Sequence, residues 1–177
     1  MKRVKIATVL LFAAMVLALT ACGVADNGGA FEIYLLADAS EFSDGADIGN
    51  YRLADTPVLT QDDIIEYNWS EQSFTTSHNF IEQKISVNGL VPLSGLPFVV
   101  VCNGERIYAG FFWSPLSSQM AYSPSIYVIG TASEPDPEKQ STYNITTITI
   151  DGDDNGALAN MTDKRIKDAL SASGKLK

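Results

Sequence analysis

The chain is poor in the side chains from which many catalytic and metal sites are built. Its 177 residues include one histidine, His78, and two cysteines, Cys22 and Cys102. A single histidine excludes a metal site with several histidine ligands, and the lack of closely spaced cysteine pairs excludes a zinc site built on such pairs. No Gly-x-Ser-x-Gly segment and no glycine-rich phosphate-binding loop is present. The sequence therefore predicts a protein without enzyme activity.

Positive charge is also scarce, with 12 basic residues against 21 acidic ones. Three of the basic residues lie within the first five positions, so residues 22–177 hold nine basic and 21 acidic residues and carry a net charge of −12. A surface of that charge repels phosphate backbones and anionic lipid headgroups. We expect no nucleic-acid partner.

The longest apolar run is too short for a permanent membrane span. It extends from Ile6 to Leu19, fourteen uncharged residues, whereas a spanning helix needs about 20. Three cations precede it, which is typical of a secretory signal. The run ends in Leu19-Thr20-Ala21-Cys22, and this segment resembles the bacterial lipobox.

The lipobox resemblance implies a processing route. The signal peptide, residues 1–21, is removed, the Cys22 thiol receives diacylglycerol, and the new amino group is acylated. Several acyl chains hold a protein durably in a bilayer, since each buried CH₂ contributes about 0.8 kcal/mol. Residues 22–30 are glycine-rich and predict a flexible tether. We expect the protein on the extracytoplasmic side of the cell membrane or, given Gly23 after the cysteine, of an outer membrane.

Residues 31–177 are long enough for one domain with its own hydrophobic core. Short β-branched and aromatic runs predict strands over residues 31–36, 73–76, 126–129 and 143–150. Helices are expected to open at Thr60 and at Ser77, and a third, capped by Thr162 or Asp163, over residues 162–173. The expected fold class is α+β, a mainly antiparallel sheet with two or three short helices.

The strongest local pattern is a central β-hairpin over residues 97–113. Asn103-Gly104 separates two apolar runs, and both residues tolerate the positive φ of a type I′ turn. A two-residue loop predicts that Cys102 pairs with Glu105, Val100 with Ile107 and Phe98 with Ala109. One nearly apolar face is then expected, made of Phe98, Val100, Cys102, Ile107, Ala109 and Phe111.

Several segments together are similar to a group of bacterial lipoproteins to which no activity is assigned. The shared pattern has an Ile-Tyr-Leu strand, an Asp-Ile-x-x-Tyr-x-Trp segment, a Pro-Phe-Val-Val hairpin that continues into Ser-Pro-Leu-Ser-Ser, and a final Arg-Ile-x-x-Ala-Leu helix. These parts are Ile33–Leu35, Asp63–Trp69, Gly95–Val100, Gly104–Ser118 and Arg165–Leu170. The resemblance implies an anchored envelope protein and names no ligand.

One acidic segment, peculiar to this sequence, suggests a cation site. Asp151, Asp153 and Asn155 stand at positions 1, 3 and 5 of a calcium-type loop with glycine at position 6. Position 12, where such a loop needs a bidentate carboxylate, is Thr162. Calcium is the one cofactor that the sequence suggests, and a solvated acidic turn is the alternative reading.

The best candidates for recognition lie at and after the hairpin: Glu105, Arg106, Tyr108, Trp113 and Ser114. Arginine and aromatic side chains favour contact with a ligand or partner. Alternatively, the two aromatic residues pack in the core and the charged pair decorates the turn. The sequence thus predicts a non-catalytic binding module for an unidentified envelope or extracellular partner; an envelope hydrolase with an unrecognised site is the alternative.

Overall fold

A computed structural model describes residues 30–43, 45–86, 90–120, 123–129, 136–147 and 160–177. The signal peptide, Cys22 and the tether lie outside these residues, as does the candidate calcium loop with Asp151, Asp153 and Asn155. Within the described part of the chain, no helix has both the length and the apolar character needed to cross a membrane.

The fold is α+β, with one eight-stranded sheet and two short helices in the described residues. The strand order is β2-β1-β5-β6-β7-β8-β4-β3, and all neighbours pair antiparallel except β6 and β7. The strands are β1 (Phe31–Leu35), β2 (Leu59–Thr60), β3 (Glu66–Asn68), β4 (Ser73–Ser77), β5 (Leu96–Cys102), β6 (Glu105–Trp113), β7 (Ser125–Tyr127) and β8 (Gln140–Thr146). The helices are α1 (Phe80–Ile85) and α2 (Lys164–Ala172).

The sheet curls into a half-barrel. In a flat sheet β1 and β3, the second and eighth strands in the order, would lie about 28 Å apart, because neighbouring strands are about 4.7 Å apart. The rings of Phe31 and Tyr67, one on each of these strands, nevertheless pack edge to face with centroids 6.4 Å apart. The concave face therefore closes around the core.

That core draws an apolar or aromatic side chain from every strand of the sheet. Ile81 and Ile85 of α1 and Ile166 and Leu170 of α2 complete it. The last two are four residues apart, so the amphipathic spacing seen in the sequence puts them on one buried face of α2. Asp163 caps this helix by accepting a hydrogen bond from the Arg165 amide at 2.8 Å, as expected.

Strands β5 and β6 pair across Asn103 and Gly104, which take φ of +53° and +80°. The predicted register holds for Cys102 with Glu105 and is wrong for the other two predicted pairs. A bulge at Ile107, opposite the step from Val100 to Val101, pairs Val100 with Tyr108 rather than Ile107, and Phe98 with Gly110 rather than Ala109. Ile107 and Tyr108 are both buried in the main core, since a bulge places two successive side chains against one partner residue. The residues of β6 after the bulge therefore lie on the opposite face of the sheet from the one predicted. Ala109 and Phe111 do not belong to the apolar face that the sequence predicts.

Other boundaries also differ from the predictions. The segment after Thr60 makes one 3₁₀ turn, Gln61–Asp63, not a longer helix. The Asp63 carboxylate accepts from the Thr60 amide and hydroxyl at 2.7 and 2.8 Å, but β3 then pairs with β4, which takes the chain out of helical geometry. Ser77 is the last residue of β4, and α1 follows Asn79. β8 begins at Gln140, ahead of the predicted start at residue 143.

Candidate functional site

The recognition residues expected from the sequence are dispersed rather than gathered. Glu105 is exposed and forms an ion pair with Arg165 of α2, with Oε2 and Nη1 2.9 Å apart. Arg106, the next residue, reaches the opposite face of the sheet, because successive side chains of a strand point to opposite sides. The structure does not bring these two side chains to one site.

Arg106 holds the loop that covers the convex face. Its Nη1 donates to the carbonyl oxygens of Ile48, Gly49 and Tyr51 at 2.6, 2.9 and 2.8 Å. Under this loop lies a second apolar cluster made of Leu36, Tyr51, Val99 and Val101. The guanidinium therefore has internal partners that bind the loop to the sheet.

Tyr108 and Cys102 lie inside the main core. Burial raises the pKa of the Cys102 thiol to about 12, and the nearby Asp163 charge acts in the same direction. Burial likewise raises the pKa of Tyr108 well above its ordinary value. The thiol is therefore protonated at neutral pH and is not a nucleophile.

Trp113, the last residue of β6, and Ser114, which follows it, are both buried. A Cβ on Gly95, which has a φ of +76°, would come within 2.6 Å of the Trp113 ring, so this glycine makes room for the indole. The Ser114 hydroxyl accepts a hydrogen bond from the Leu116 amide at 3.3 Å. Ser114 therefore supports the turn that follows β6, and Trp113 packs against Gly95 and Phe111.

An open groove lies elsewhere, where α1 crosses the ends of β7 and β8. It encloses about 330 Å³ and is lined by Asn79, Glu82, Tyr127, Ile129, Ser141, Thr142 and Tyr143. None of these residues is among the sequence-predicted candidates. Volumes of about 300–1,000 Å³ are usual for small-molecule sites, so this groove is of the smallest ligand-binding size.

The chain reverses at Asn79 to form one wall of the groove. Asn79 takes the left-handed conformation, with φ of +56°, which asparagine tolerates better than most residues. Its amide donates to the Ser141 hydroxyl at 3.0 Å, while Ser77 pairs with Gln140 just before the reversal. These contacts hold the start of α1 against β8.

A buried acidic pair forms the floor of the groove. Glu82 exposes only 7% of its surface, and its Oε2 accepts a hydrogen bond from the Tyr143 hydroxyl at 2.5 Å. Burial and the Glu82 charge raise the pKa of Tyr143 well above its usual range, although hydrogen bonds involving Ser141 and the Ile81 backbone oppose this. The phenol therefore stays protonated and serves as a donor to the carboxylate.

The carboxyl group of Glu82 has no basic neighbour among the described residues that line the groove. Glu82 is the only carboxyl-bearing residue in this lining, which contains no lysine or arginine. The ion pairs formed within the described ranges do not include it. A carboxylate removed from water normally has a cationic or metal partner.

One side of the rim, formed by Tyr127 and Ile129, is apolar and open. Tyr127 exposes 39% and Ile129 69% of their surfaces, while Ile126 and Val128 between and beside them are fully buried. The alternation follows from the two-residue period of extended chain. The groove thus offers a hydrophobic edge above a buried anion.

His78 adjoins the groove wall but does not line it. Its Nδ1 is buried with no hydrogen-bond partner in the described part of the chain. The described residues also hold no cluster of three or more histidine, cysteine or acidic side chains suited to a metal ion. The groove, with Glu82 and Tyr143 in its lining, is suited to binding a ligand through hydrogen bonds and charge.

Sequence reasoning missed the groove because its floor joins distant positions. Glu82 and Tyr143 are 61 residues apart, and no local pattern links them. One partial signal was present: Tyr143 begins the alternating stretch Tyr-Asn-Ile-Thr-Thr-Ile, which places its side chain on the same face as Ile145. The pairing itself depends on how α1 packs across the sheet.

No protein-family model matches the chain, and neither a curated protein nor a solved structure matches it.

Proposed function

We propose that this protein is a bacterial lipoprotein, anchored through acylated Cys22, whose folded domain is a non-catalytic binding module on the extracytoplasmic side of the cell membrane or outer membrane. The anchor is supported by Leu19-Thr20-Ala21-Cys22 after a positively charged start and a fourteen-residue apolar run. The resemblance to other bacterial lipoproteins agrees with it.

The observation that carries the binding role is the groove with Glu82 at its floor. A buried carboxylate costs folding free energy unless it is compensated, and here it faces an open groove beneath an apolar rim. Retaining such a group is unfavourable for stability alone. It is useful where the missing partner is a ligand.

The position of the groove relative to the anchor agrees with this proposal. Ala30, where the described domain begins, exchanges hydrogen bonds with Asn103 at the turn end of β6. Trp113 at the other end of that strand pairs with Tyr127 on the groove rim. The nine residues of β6 are joined by eight steps of about 3.3 Å, which span about 26 Å. The groove would therefore lie at the end of the sheet far from the anchor, where a partner other than the supporting bilayer can reach it.

The anchor is tested by mass spectrometry of the mature protein from a bacterial membrane fraction. We expect Cys22 as the first residue, carrying diacylglycerol and an N-acyl chain. The Cys22→Ser variant should remain uncleaved at this position and should not incorporate labelled palmitate. A mature chain that begins elsewhere or lacks lipid would contradict the anchor.

The binding role is tested by photo-crosslinking in intact cells. A photoreactive side chain replacing Ile129 on the rim should crosslink to an envelope or extracellular component. The same replacement at Glu71, an exposed position outside the groove, is the matched control. Identical crosslinking patterns at both positions would count against a binding role for the groove.

No described feature favours the alternative of an envelope hydrolase. The single histidine has no serine hydrogen-bonded to its Nδ1 in the described residues, which a serine–histidine relay would need on one of its ring nitrogens.

A further inference from the structure

We infer that the groove binds an ammonium or guanidinium group carried on an aliphatic stem, the chemistry of a lysine or arginine side chain. This inference rests on the proposed binding function and adds the chemical class of the ligand. Three features of the groove lead to it, namely the unmet capacity of Glu82, the absence of cations in the lining, and the apolar rim.

The first feature is hydrogen-bonding capacity. An ionised carboxylate has about four acceptor positions, and the Tyr143 hydroxyl takes up one of those of Glu82, on Oε2. The Tyr143 hydroxyl that occupies it is neutral and so leaves the negative charge in place. An alkylammonium has three donors and a guanidinium five, so either group supplies both the donors and the charge that the floor lacks.

The second feature is electrostatic selection. Because the described residues that line the groove include no lysine or arginine, an anionic ligand would face Glu82 without compensation from them. Residues 22–177 as a whole carry a net charge of −12, which raises the local concentration of cations and repels anions. A neutral ligand would leave the buried charge unpaired.

The third feature concerns size and the apolar edge. A groove of about 330 Å³ accommodates one long side chain rather than a large cofactor. Tyr127 and Ile129 are exposed on the rim, where methylene groups of a cationic side chain can pack while its charged end reaches inward. An aromatic ring beside the entrance also favours a cation.

The inference is tested by titration calorimetry on the full mature protein in an uncharged detergent. The probes are the methylamides of Nα-acetyl-lysine and Nα-acetyl-arginine. The Nα-acetyl-norleucine methylamide has a similar stem without charge and serves as the reference. We expect each cationic probe to bind at least tenfold more tightly than the reference and to weaken as salt rises.

Variants connect the binding to the floor of the groove. Glu82→Gln should weaken the cationic probes at least tenfold, whereas Glu71→Gln, which makes the same charge change outside the groove, should not. Should Glu82→Gln fail to fold by circular dichroism, Ile129→Asn on the exposed rim replaces it and should weaken binding severalfold. Equal affinity for the norleucine probe, unchanged affinity in the folded groove variant, or no heat from any probe would overturn the inference.

Two further probes separate possible sources of the cation. A tripeptide with a central lysine should bind more tightly than 1,5-diaminopentane if the natural ligand is a polypeptide side chain, and less tightly if it is a free diamine; both outcomes support the cationic class. Lipidated protein that ignores every cationic probe contradicts this inference and leaves the anchor standing. Protein that binds the probes without a lipidated Cys22 contradicts the proposed anchor alone.

Discussion

Arg106 and Glu82 are both charged side chains withdrawn from water, and the protein treats them differently. Arg106 meets three backbone carbonyls within 2.9 Å, all from the loop that it secures. Glu82 is more deeply buried, and its carboxylate accepts a hydrogen bond from the neutral Tyr143 hydroxyl. The first charge is compensated by the fold, and the second faces an open groove.

The difference distinguishes two kinds of buried charge. A structural charge has its partners within the fold, and a receptive charge faces a groove where a ligand can supply them. Removing a structural charge leaves the groups that it satisfied without partners, so the fold loses stability. Removing a receptive charge relieves the folded state of an uncompensated burial cost, so stability changes little while ligand binding is lost. Burial by itself does not separate the two cases; the number and type of partners does.

The largest expected effect is that of Arg106→Leu. The loss of a charged donor to three carbonyls should lower the free energy of unfolding by about 2–4 kcal/mol. Denaturant unfolding measures this value. The loop should also open more often, so trypsin should cut more rapidly after the exposed Arg52.

Arg106→Lys is the matched control for that variant. It keeps the charge on a single nitrogen and should lose less stability than Arg106→Leu, because lysine lacks the planar fork of the guanidinium. Equal stability of all three proteins would show that Arg106 does not secure the loop, and the comparison with Glu82 would fail.

The next effect in size is that of Tyr143→Phe. The substitution removes the hydroxyl that donates to the buried Glu82 and should cost about 1–3 kcal/mol. Tyr51→Phe, which removes a hydroxyl bond of 2.8 Å to the Ser43 carbonyl, should cost less, about 1 kcal/mol. Chemical denaturation of both variants checks the order; a reversed order would mean that Tyr143 does not support the carboxylate.

A third, smaller effect concerns a charge that remains in contact with solvent. Hydrogen bonds from Arg165 and from its backbone amide lower the pKa of Asp163 to about 2. Because the folded pKa lies below the unfolded value, this stabilisation is complete above about pH 4 and is lost as the pH falls toward 2. Asp163→Asn should therefore lower the melting temperature by about 1–2 °C at pH 6.

The difference between wild type and Asp163→Asn should disappear as the pH approaches 2. Thermal melts followed by circular dichroism between pH 6 and pH 2 measure it. A difference that is constant over this range would assign the effect to the cap geometry rather than to the charge.

The smallest effect on stability should come from Glu82→Gln. The amide oxygen can still accept from Tyr143, and no charge remains buried, so the free energy of unfolding should stay close to that of wild type. In this background Tyr143→Phe should cost less than it does alone, and a double-mutant cycle measures that coupling. A loss of stability as large as that of Arg106→Leu would make Glu82 a structural charge.

Several elements could be predicted because their signals are local. Asp163 and the apolar spacing of Ile166 and Leu170 predict where α2 begins and which face it buries. Asn103 and Gly104 predict positive φ at both positions, as the structure has them. The first strand follows from a short β-branched and aromatic run. Each of these depends on neighbours a few residues away.

Other features could not be predicted because they depend on packing between distant segments. The bulge at Ile107 and Tyr108 places both side chains in one core, and it alters which residues of β6 face inward. The turn after Thr60 has a good helix cap, yet pairing of β3 with β4 ends it after three residues. Tertiary contacts override a local preference worth only about 1 kcal/mol.

The sequence by itself determined the scarcity of metal and catalytic side chains, the acidic charge, the turn at Asn103-Gly104 and the capped final helix, since these are properties of composition or of adjacent residues. Only the tertiary structure decided that Arg106 reaches three carbonyls and that Glu82 meets Tyr143 beneath an open groove. The reason is physical: a side chain's partners depend on which segments the curled sheet brings together, and segments 57 or 61 residues apart leave no local pattern of their meeting.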